Sequence, residues 1–226
     1  MTKESINYID TLFEHKELTK IHGEPTYETL KIIANELKTN AATVRTHLGG
    51  GNHGHLGLVL LPARYALISP DPFERPTHPG PFVPPVGGTG PQIAAAKDAH
   101  EEAVRVFYEC LSVEAALRKQ IVQAIDSKYL KAIRNQHTNA ITMTVSDVLY
   151  THLFPSYGLV TAEKLMHEQR AVEDFMYDPR DPITDIYTAI DDLLDLADSA
   201  GSPFTQAQAL KMVLKSSNEL ECLPMP

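Results

Sequence analysis

Residues 145–201 read VSDVLYTHLFPSYGLVTAEKLMHEQRAVEDFMYDPRDPITDIYTAIDDLLDLADSAG, and this stretch decides the fold class. Proline and glycine divide it into three segments, each with helical periodicity. In the first segment Ser146 is the predicted N-cap, because its hydroxyl can accept from the first free amides of a helix. One face of this helix carries Val148, Leu149, His152 and Leu153. The pattern indicates packing surfaces rather than an active site.

The other two segments show the same spacing. Thr161 is the predicted N-cap of the second helix, and the third helix is predicted to run from Ile183 to Ala197. Apolar residues recur every three or four positions, as in a helix with one buried face. The predicted stripes consist of Ala162, Leu165, Met166, Val172, Phe175 and Met176, and of Ile183, Ile186, Tyr187, Ile190, Leu193 and Leu194.

Helical patterns continue on the N-terminal side of this stretch. Pro25 or Thr26 is expected to begin a helix, and Ser112 is expected to separate two others that precede a short helix at 127–133. Residues 69–91, the Pro-rich segment, contain eight prolines and four glycines and exclude a helix or a central strand. That segment is either an exposed connector or an extended chain laid on the core. The fold class is therefore all-α, with one long loop.

Composition excludes several function classes. The chain has 226 residues, 43% of them hydrophobic, which is ordinary for a globular protein with a core. Its net charge is −9, and residues 92–226 account for −8 of it, so tight nucleic-acid binding is not expected. Cys110 and Cys222 are expected to be reduced thiols. Neither a signal peptide nor a long apolar run is visible, which predicts a cytoplasmic protein without a membrane partner.

The glycine-rich segment, residues 48–57 (LGGGNHGHLG), is the most suggestive motif for chemistry. His53 and His55 are weak candidates for metal ligands, because an extended segment can present two imidazoles, but no spacing motif supplies the remaining ligands. Phosphate binding is less favoured, since neither lysine nor arginine stands nearby. A structural turn is the favoured interpretation. No catalytic residue and no cofactor is predicted anywhere in the chain.

The acidic residues of the third helix suggest a second possible site. Asp191, Asp192, Asp195 and Asp198 lie opposite its apolar stripe and are expected to form a solvated face. They are also possible contact points for a basic partner. His100 and His152 are expected to be packing residues, because neither belongs to a ligand motif.

The order of several short blocks resembles the Gag polyprotein of Ty1/copia-type LTR retrotransposons, in the branch found in algae and other microbial eukaryotes. The resemblance covers roughly residues 24–214. Its blocks are LGGGNHGHLGLVL (48–60), PFERPTHPGPFVPP (72–85), ALRKQIVQAI (116–125), SDVLYTHLFPSYG (146–158), TAEKL (161–165) and YDPRDPITDIYTAIDDLLDLA (177–197).

This resemblance implies a non-enzymatic capsid protein that self-assembles into virus-like particles around the element's RNA. It implies a first helical subdomain (23–158, including the loop 69–91) and a second helical subdomain (159–226). The weak helical pattern that precedes them predicts an N-terminal arm (1–22). Pro155 and Gly158 are expected to form the hinge. The expected packing and assembly residues are Leu149, Leu153, Tyr157, Leu165, Phe175, Ile186, Ile190 and Leu193.

Two departures from the family pattern accompany the resemblance. The second subdomain of the family continues beyond the region matching 205–214, and the zinc knuckle that often follows is absent from this sequence. A truncated or domesticated copy is therefore an expectation as well. The alternatives are a small metal-binding module or enzyme that uses His53 and His55, and an acidic adaptor that binds a basic protein.

Overall fold

The structure, a computed structural model, describes residues 9–174, 182, 184–200, 204–205, 207–208 and 211, without the side chains of residues 186, 198 and 199. Its elements are helical, which confirms the all-α class; within the described residues, extended pairing is limited to a bridge between Arg134 and Ile141. The chain divides into two compact units, Met1–Leu153 and Phe154–Pro226. The subdomain boundaries expected from the sequence stay predictions.

The first unit is built on two helices that pack against each other, α1 (Tyr27–Thr43) and α3 (Gly90–Ala124). Thr26 caps α1, because its hydroxyl accepts the Thr29 amide. Between these helices the chain forms short 3₁₀ turns and α2 (Pro62–Tyr65), which has proline in its first turn. The core of this unit includes Leu30, Ile33, Leu37, Val113, Leu117, Ile121, Leu130, Leu149 and Leu153.

Helix α3 differs from the sequence prediction, which separated two helices at Ser112. The helix is continuous over 35 residues, and Ser112 lies inside it, only 5% exposed. Serine begins a new helix only where its hydroxyl can accept hydrogen bonds from the free amides of a first helical turn. Inside a continuous helix those amides are already bonded, and serine is tolerated there as a moderate helix former. The N-terminal half of α3, residues 90–105, contains no buried residue.

A buried amide pair fixes the N-terminal segment to this helical core. Asn40 of α1 donates from Nδ2 to the Gln120 side chain of α3 (2.9 Å) and to the carbonyl of His15 (2.9 Å). Gln120 donates to the same carbonyl at 2.8 Å. Because both amides are almost fully buried, these bonds satisfy groups that would otherwise be costly to desolvate.

The first unit ends in α4 (Val145–Asp147), which continues as a π-helix (Val148–Leu153). The prediction that Ser146 caps this helix is wrong: the cap is Thr144, whose hydroxyl accepts the Asp147 amide. The predicted apolar face is confirmed, because all four of its side chains are buried. His152 belongs to that face, and its Nε2 donates to the Tyr129 carbonyl at 2.7 Å.

The second unit contains α5 (Phe154–Tyr157), α6 (Ala162–Glu173) and α7 (Thr184–Ser199), of which α6 and α7 pack together. Thr161 caps α6 as predicted, by accepting the Lys164 amide. The predicted stripes are only partly buried, because Met166 and Tyr187 are each about half exposed. Leu165, Ile190, Leu193, Leu196 and Ala197 supply the buried residues.

Within the described residues, no helix combines the length and the apolar character needed to span a bilayer.

Candidate functional site

The glycine-rich segment lies against the C-terminal end of α1. The His55 amide donates to the Ala41 carbonyl at 2.9 Å, which ties the segment to that helix. Gly54 has a φ of +52°, and a Cβ on it would lie 2.4 Å from the Ala42 carbonyl oxygen. No other residue type fits there, since both the backbone conformation and the space require glycine. The favoured interpretation of a structural turn therefore has a physical basis at this position.

The other side of the segment receives the start of the Pro-rich segment. Phe73 packs against Gly57 so closely that a Cβ on this glycine would lie 2.1 Å from the ring. The same ring makes edge contacts with Tyr65 and His55, at centroid distances of 5.8 and 6.4 Å. Tyr65 in turn donates its hydroxyl hydrogen to the Gly49 carbonyl at 3.0 Å. The glycines thus provide a surface on which aromatic rings pack.

The Pro-rich segment lies on α3. Of the two courses that the sequence left open, an exposed connector or an extended chain laid on the core, the structure therefore favours the second. Arg75 reaches Glu114, a buried carboxylate of α3, with an N–O distance of 2.7 Å. Farther along, the imidazole of His100 donates to the Gly80 carbonyl at 3.0 Å, and its ring meets Phe82. The segment therefore runs along α3 from Glu114, in its buried half, to His100, in its exposed half, through polar and aromatic contacts.

His53 and His55 are not arranged as a metal pair. Each uses one ring nitrogen to donate to a main-chain carbonyl, His53 to Ile68 at 3.0 Å and His55 to Val44 at 2.9 Å. Across the part of the chain that the structure describes, no group of three or more histidine, cysteine or acidic side chains is placed to hold a metal. The geometry gives a metal site no support at these two residues.

His55 instead faces the end of a row of charged groups on α3, formed by Glu102, Arg105 and Glu109. Arg105 forms hydrogen bonds with Glu102 (2.7 and 2.8 Å) and with Oε2 of Glu109 (2.8 Å). The other carboxylate oxygen of Glu109, Oε1, lies 3.9 Å from Nε2 of His55. Burial lowers the pKa of His55, against the opposing effects of its bond to Val44 and of Glu109. Hydrogen bonds from Arg105 lower the pKa of the exposed Glu102 carboxyl.

A cavity of about 590 Å³ opens beside this row. Its wall combines the end of α1, the glycine-rich segment and one face of α3, so groups of both charge signs surround it. The residues lining it include Thr43, Arg45, His47, Asn52, Arg105 and Glu109.

The remaining predicted site residues lie elsewhere. Leu149 and Leu153 are completely buried in the first unit and belong to its core. Pro155 lies in α5, and Gly158 follows that helix with its amide bonded to the Phe154 carbonyl at 2.9 Å. Gly158 does not have a positive φ. A hinge at these residues stays a prediction.

In the second unit, the predicted packing residues divide into described and undescribed ones. Leu165, Ile190 and Leu193 are buried, whereas Phe175 and the side chain of Ile186 lie outside the described part of the chain. Tyr157 is half-buried. On α7 the carboxylates of Asp191 and Asp192 are exposed and that of Asp195 is half-buried, which fits the expected solvated face; Asp198 has no described side chain.

No local pattern in the sequence indicated the residues that complete the charged row. Glu109 and Arg105 are ordinary i, i+4 partners on a helix surface, and such pairs occur on most solvated helices. The buried pair of Arg75 and Glu114 was likewise missed, since a proline-rich loop and a helix interior share no local motif.

Comparison with family models, with characterised proteins and with solved structures finds no match for this chain.

Proposed function

We propose that the protein is a structural, self-assembling protein of the Gag capsid type, that it acts in the cytoplasm and that it is not an enzyme. The observation that carries the proposal is the division into two compact, all-helical units at Leu153 and Phe154. A capsid subunit needs rigid helical modules, and the resemblance of the sequence blocks to Gag leads to the expectation of two helical subdomains. No cofactor is required for this function.

Exposed apolar side chains on both units support the proposal further. Leu67 is 76% exposed and Val83 is 77% exposed in the first unit, and Leu159 is 74% exposed in the second. Large apolar side chains at protein surfaces are suitable contacts for another protein, because their burial on association is favourable. We expect the partner to be another copy of the same chain.

Light scattering coupled to size-exclusion chromatography, followed by negative-stain microscopy, tests the proposal. We expect species well above the 25.0 kDa monomer, with their proportion rising with protein concentration. Nuclease treatment during purification tests whether RNA contributes. A chain that stays monomeric across a wide range of salt and concentration would refute self-assembly.

Point variants connect that measurement to the surface. Leu67→Ser and Leu159→Ser are expected to reduce assembly and leave the helical circular dichroism unchanged, because both side chains are largely exposed. Lys97→Ser is the matched control, as it changes a similarly exposed side chain that is already polar. Equal assembly in all three variants would exclude these apolar residues as contacts.

The two alternative functions have less support. A metal-binding module would need the free ring nitrogens of His53 and His55 to meet other ligands, and elemental analysis of the purified protein tests it directly. An acidic adaptor would use Asp191 and Asp192 of α7, and a pull-down at graded salt tests that reading, because exposed ion pairs weaken as ionic strength rises.

A further inference from the structure

His55 carries a buried nitrogen without a hydrogen-bond partner. Its residue surface is 0% exposed, and its Nδ1 donates to the Val44 carbonyl at 2.9 Å. Its other nitrogen, Nε2, is buried and makes no hydrogen bond. The charged atom that faces Nε2 is Oε1 of Glu109 on α3, at a distance of 3.9 Å. Buried polar atoms are nearly always paired, so this one requires an explanation.

The bond to Val44 determines where the proton of a neutral His55 resides. A carbonyl only accepts, so Nδ1 carries the hydrogen and Nε2 presents a lone pair. That lone pair faces a carboxylate oxygen, which is also an acceptor. Two acceptors that face each other, one of them fully buried and the other on a partly exposed side chain, are unfavourable until a proton lies between them.

The charges around His55 come from one side only. From α1 it meets the main-chain carbonyl of Ala41, and from the C-cap of that helix the carbonyl of Val44. From the Pro-rich segment it meets the uncharged ring of Phe73. From α3 His55 meets Glu109, whose second carboxylate oxygen forms an ion pair with Arg105. Arg105 in turn holds Glu102, so the row alternates in sign along the helix.

We infer that the buried His55 and the partly exposed Glu109 form a proton-binding pair, which forms a hydrogen bond on acidification and connects the glycine-rich segment to α3. A proton taken from solvent binds Nε2, and the new N–H donates to Oε1 of Glu109. The two atoms must approach by about 1 Å to reach hydrogen-bond distance. The row Glu102, Arg105, Glu109 and His55 then changes from a net charge of −1 to neutrality, and Arg105 keeps its bond to the other oxygen.

The pair gives the first unit a response to pH. Burial lowers the pKa of His55 below its ordinary value of 6.5, so the proton is taken up at a lower pH than by a free imidazole. While His55 is neutral, the glycine-rich segment contacts this part of α3 without an ion pair. Because Glu109 also lines the cavity, the closing of the pair alters one wall of that cavity.

Side-chain ¹H–¹⁵N correlation spectra recorded over a pH series test the inference. At pH 7.5 we expect His55 to carry its proton on Nδ1, and on acidification Nε2 is expected to gain one. Glu109→Gln is expected to lower the pKa of His55, because the attracting charge is lost. Arg105→Gln is expected to raise it, because Glu109 then faces His55 without a competing cation.

Lys97→Gln is the matched control. It removes one positive charge from the same helix, but eight residues, or about 12 Å along the axis, before Arg105. We expect no change in the titration of His55. Circular dichroism at pH 7.5 verifies that each variant is folded. An unchanged pKa in Glu109→Gln, or a proton on Nε2 with bare Nδ1 at pH 7.5, would overturn the inference.

Discussion

Replacing Gly57 with alanine is expected to disrupt the contact between the glycine-rich and Pro-rich segments. The added Cβ would lie 2.1 Å from Cγ of Phe73, well inside the distance at which two carbons repel, so the ring must move. Overpacking of this kind costs about 1–3 kcal/mol. We expect a value in the upper half of that range, since the same ring also contacts Tyr65 and His55.

Urea denaturation followed by circular dichroism measures the effect, because the chain has no tryptophan to serve as a fluorescence probe. The decisive comparison is a double-mutant cycle with Phe73→Ala. Once the ring is absent, Gly57→Ala has nothing to displace and should cost less than about 0.5 kcal/mol. The cycle should therefore show a coupling free energy of about 1.5–3 kcal/mol, the difference between the two costs.

Gly90→Ala is the control for the loss of a glycine. A Cβ at Gly90 would meet no atom within 4 Å, and the residue lies in the first turn of α3. We expect its effect to stay within about 1 kcal/mol, because the smaller entropy of the unfolded chain is offset by crowding of the new Cβ against the ring of Pro91. If Gly57→Ala costs the same with and without the Phe73 ring, the packing argument for the glycine-rich segment is wrong.

Three further predictions follow from burial. Leu153→Ala should lower the free energy of unfolding by about 2–5 kcal/mol, because the side chain is completely buried, whereas Met166→Ala, about half exposed, should cost much less in the same urea melts. Because the pKa of His55 is lowered in the folded protein, the unfolded chain binds the proton at a higher pH than the folded protein does. The stability that the neutral His55 contributes is complete above pH 6.5 and is lost as the pH falls through the folded pKa. In urea melts, the free energy of unfolding of His55→Gln should therefore fall less steeply on acidification than that of the wild type. Burial raises the pKa of Cys110 to about 11, so iodoacetamide at pH 8 should label this thiol only after denaturation, as peptide mass spectrometry will show; rapid labelling of the folded protein would contradict its buried position.

Local periodicity accounts for what the sequence predicted well. Leu149, His152 and Leu153 were assigned to one buried face because residues four positions apart share a side of a helix, and the π-helical turn keeps them together. The same reasoning failed at Met166 and Tyr187, which match the period but lie about half exposed. A period shows which residues share a face and leaves open how far the neighbouring element covers it.

Long-range contacts explain the rest. Proline content correctly excluded a helix from residues 69–89, but the predicted loop ends two residues too late, because α3 begins at Gly90 and contains Pro91 in its first turn. The course of the segment along α3 depends on the contact between Arg75 and Glu114, 39 positions away. The role of His55 depends in the same way on Glu109. Neither pairing leaves a signal in local spacing, so the candidate site was less predictable than the fold.

The unbroken helix α3 also gives the first unit a mechanical property. Thirty-five residues correspond to about 52 Å of helix, of which roughly the first 24 Å contain no buried residue. A continuous helix transmits a push or a torque along its axis, because no hinge interrupts its hydrogen bonds. A load applied near Gly90 therefore reaches the hydrophobic layer around Leu117, and the exposed half acts as a lever whose fulcrum is the core.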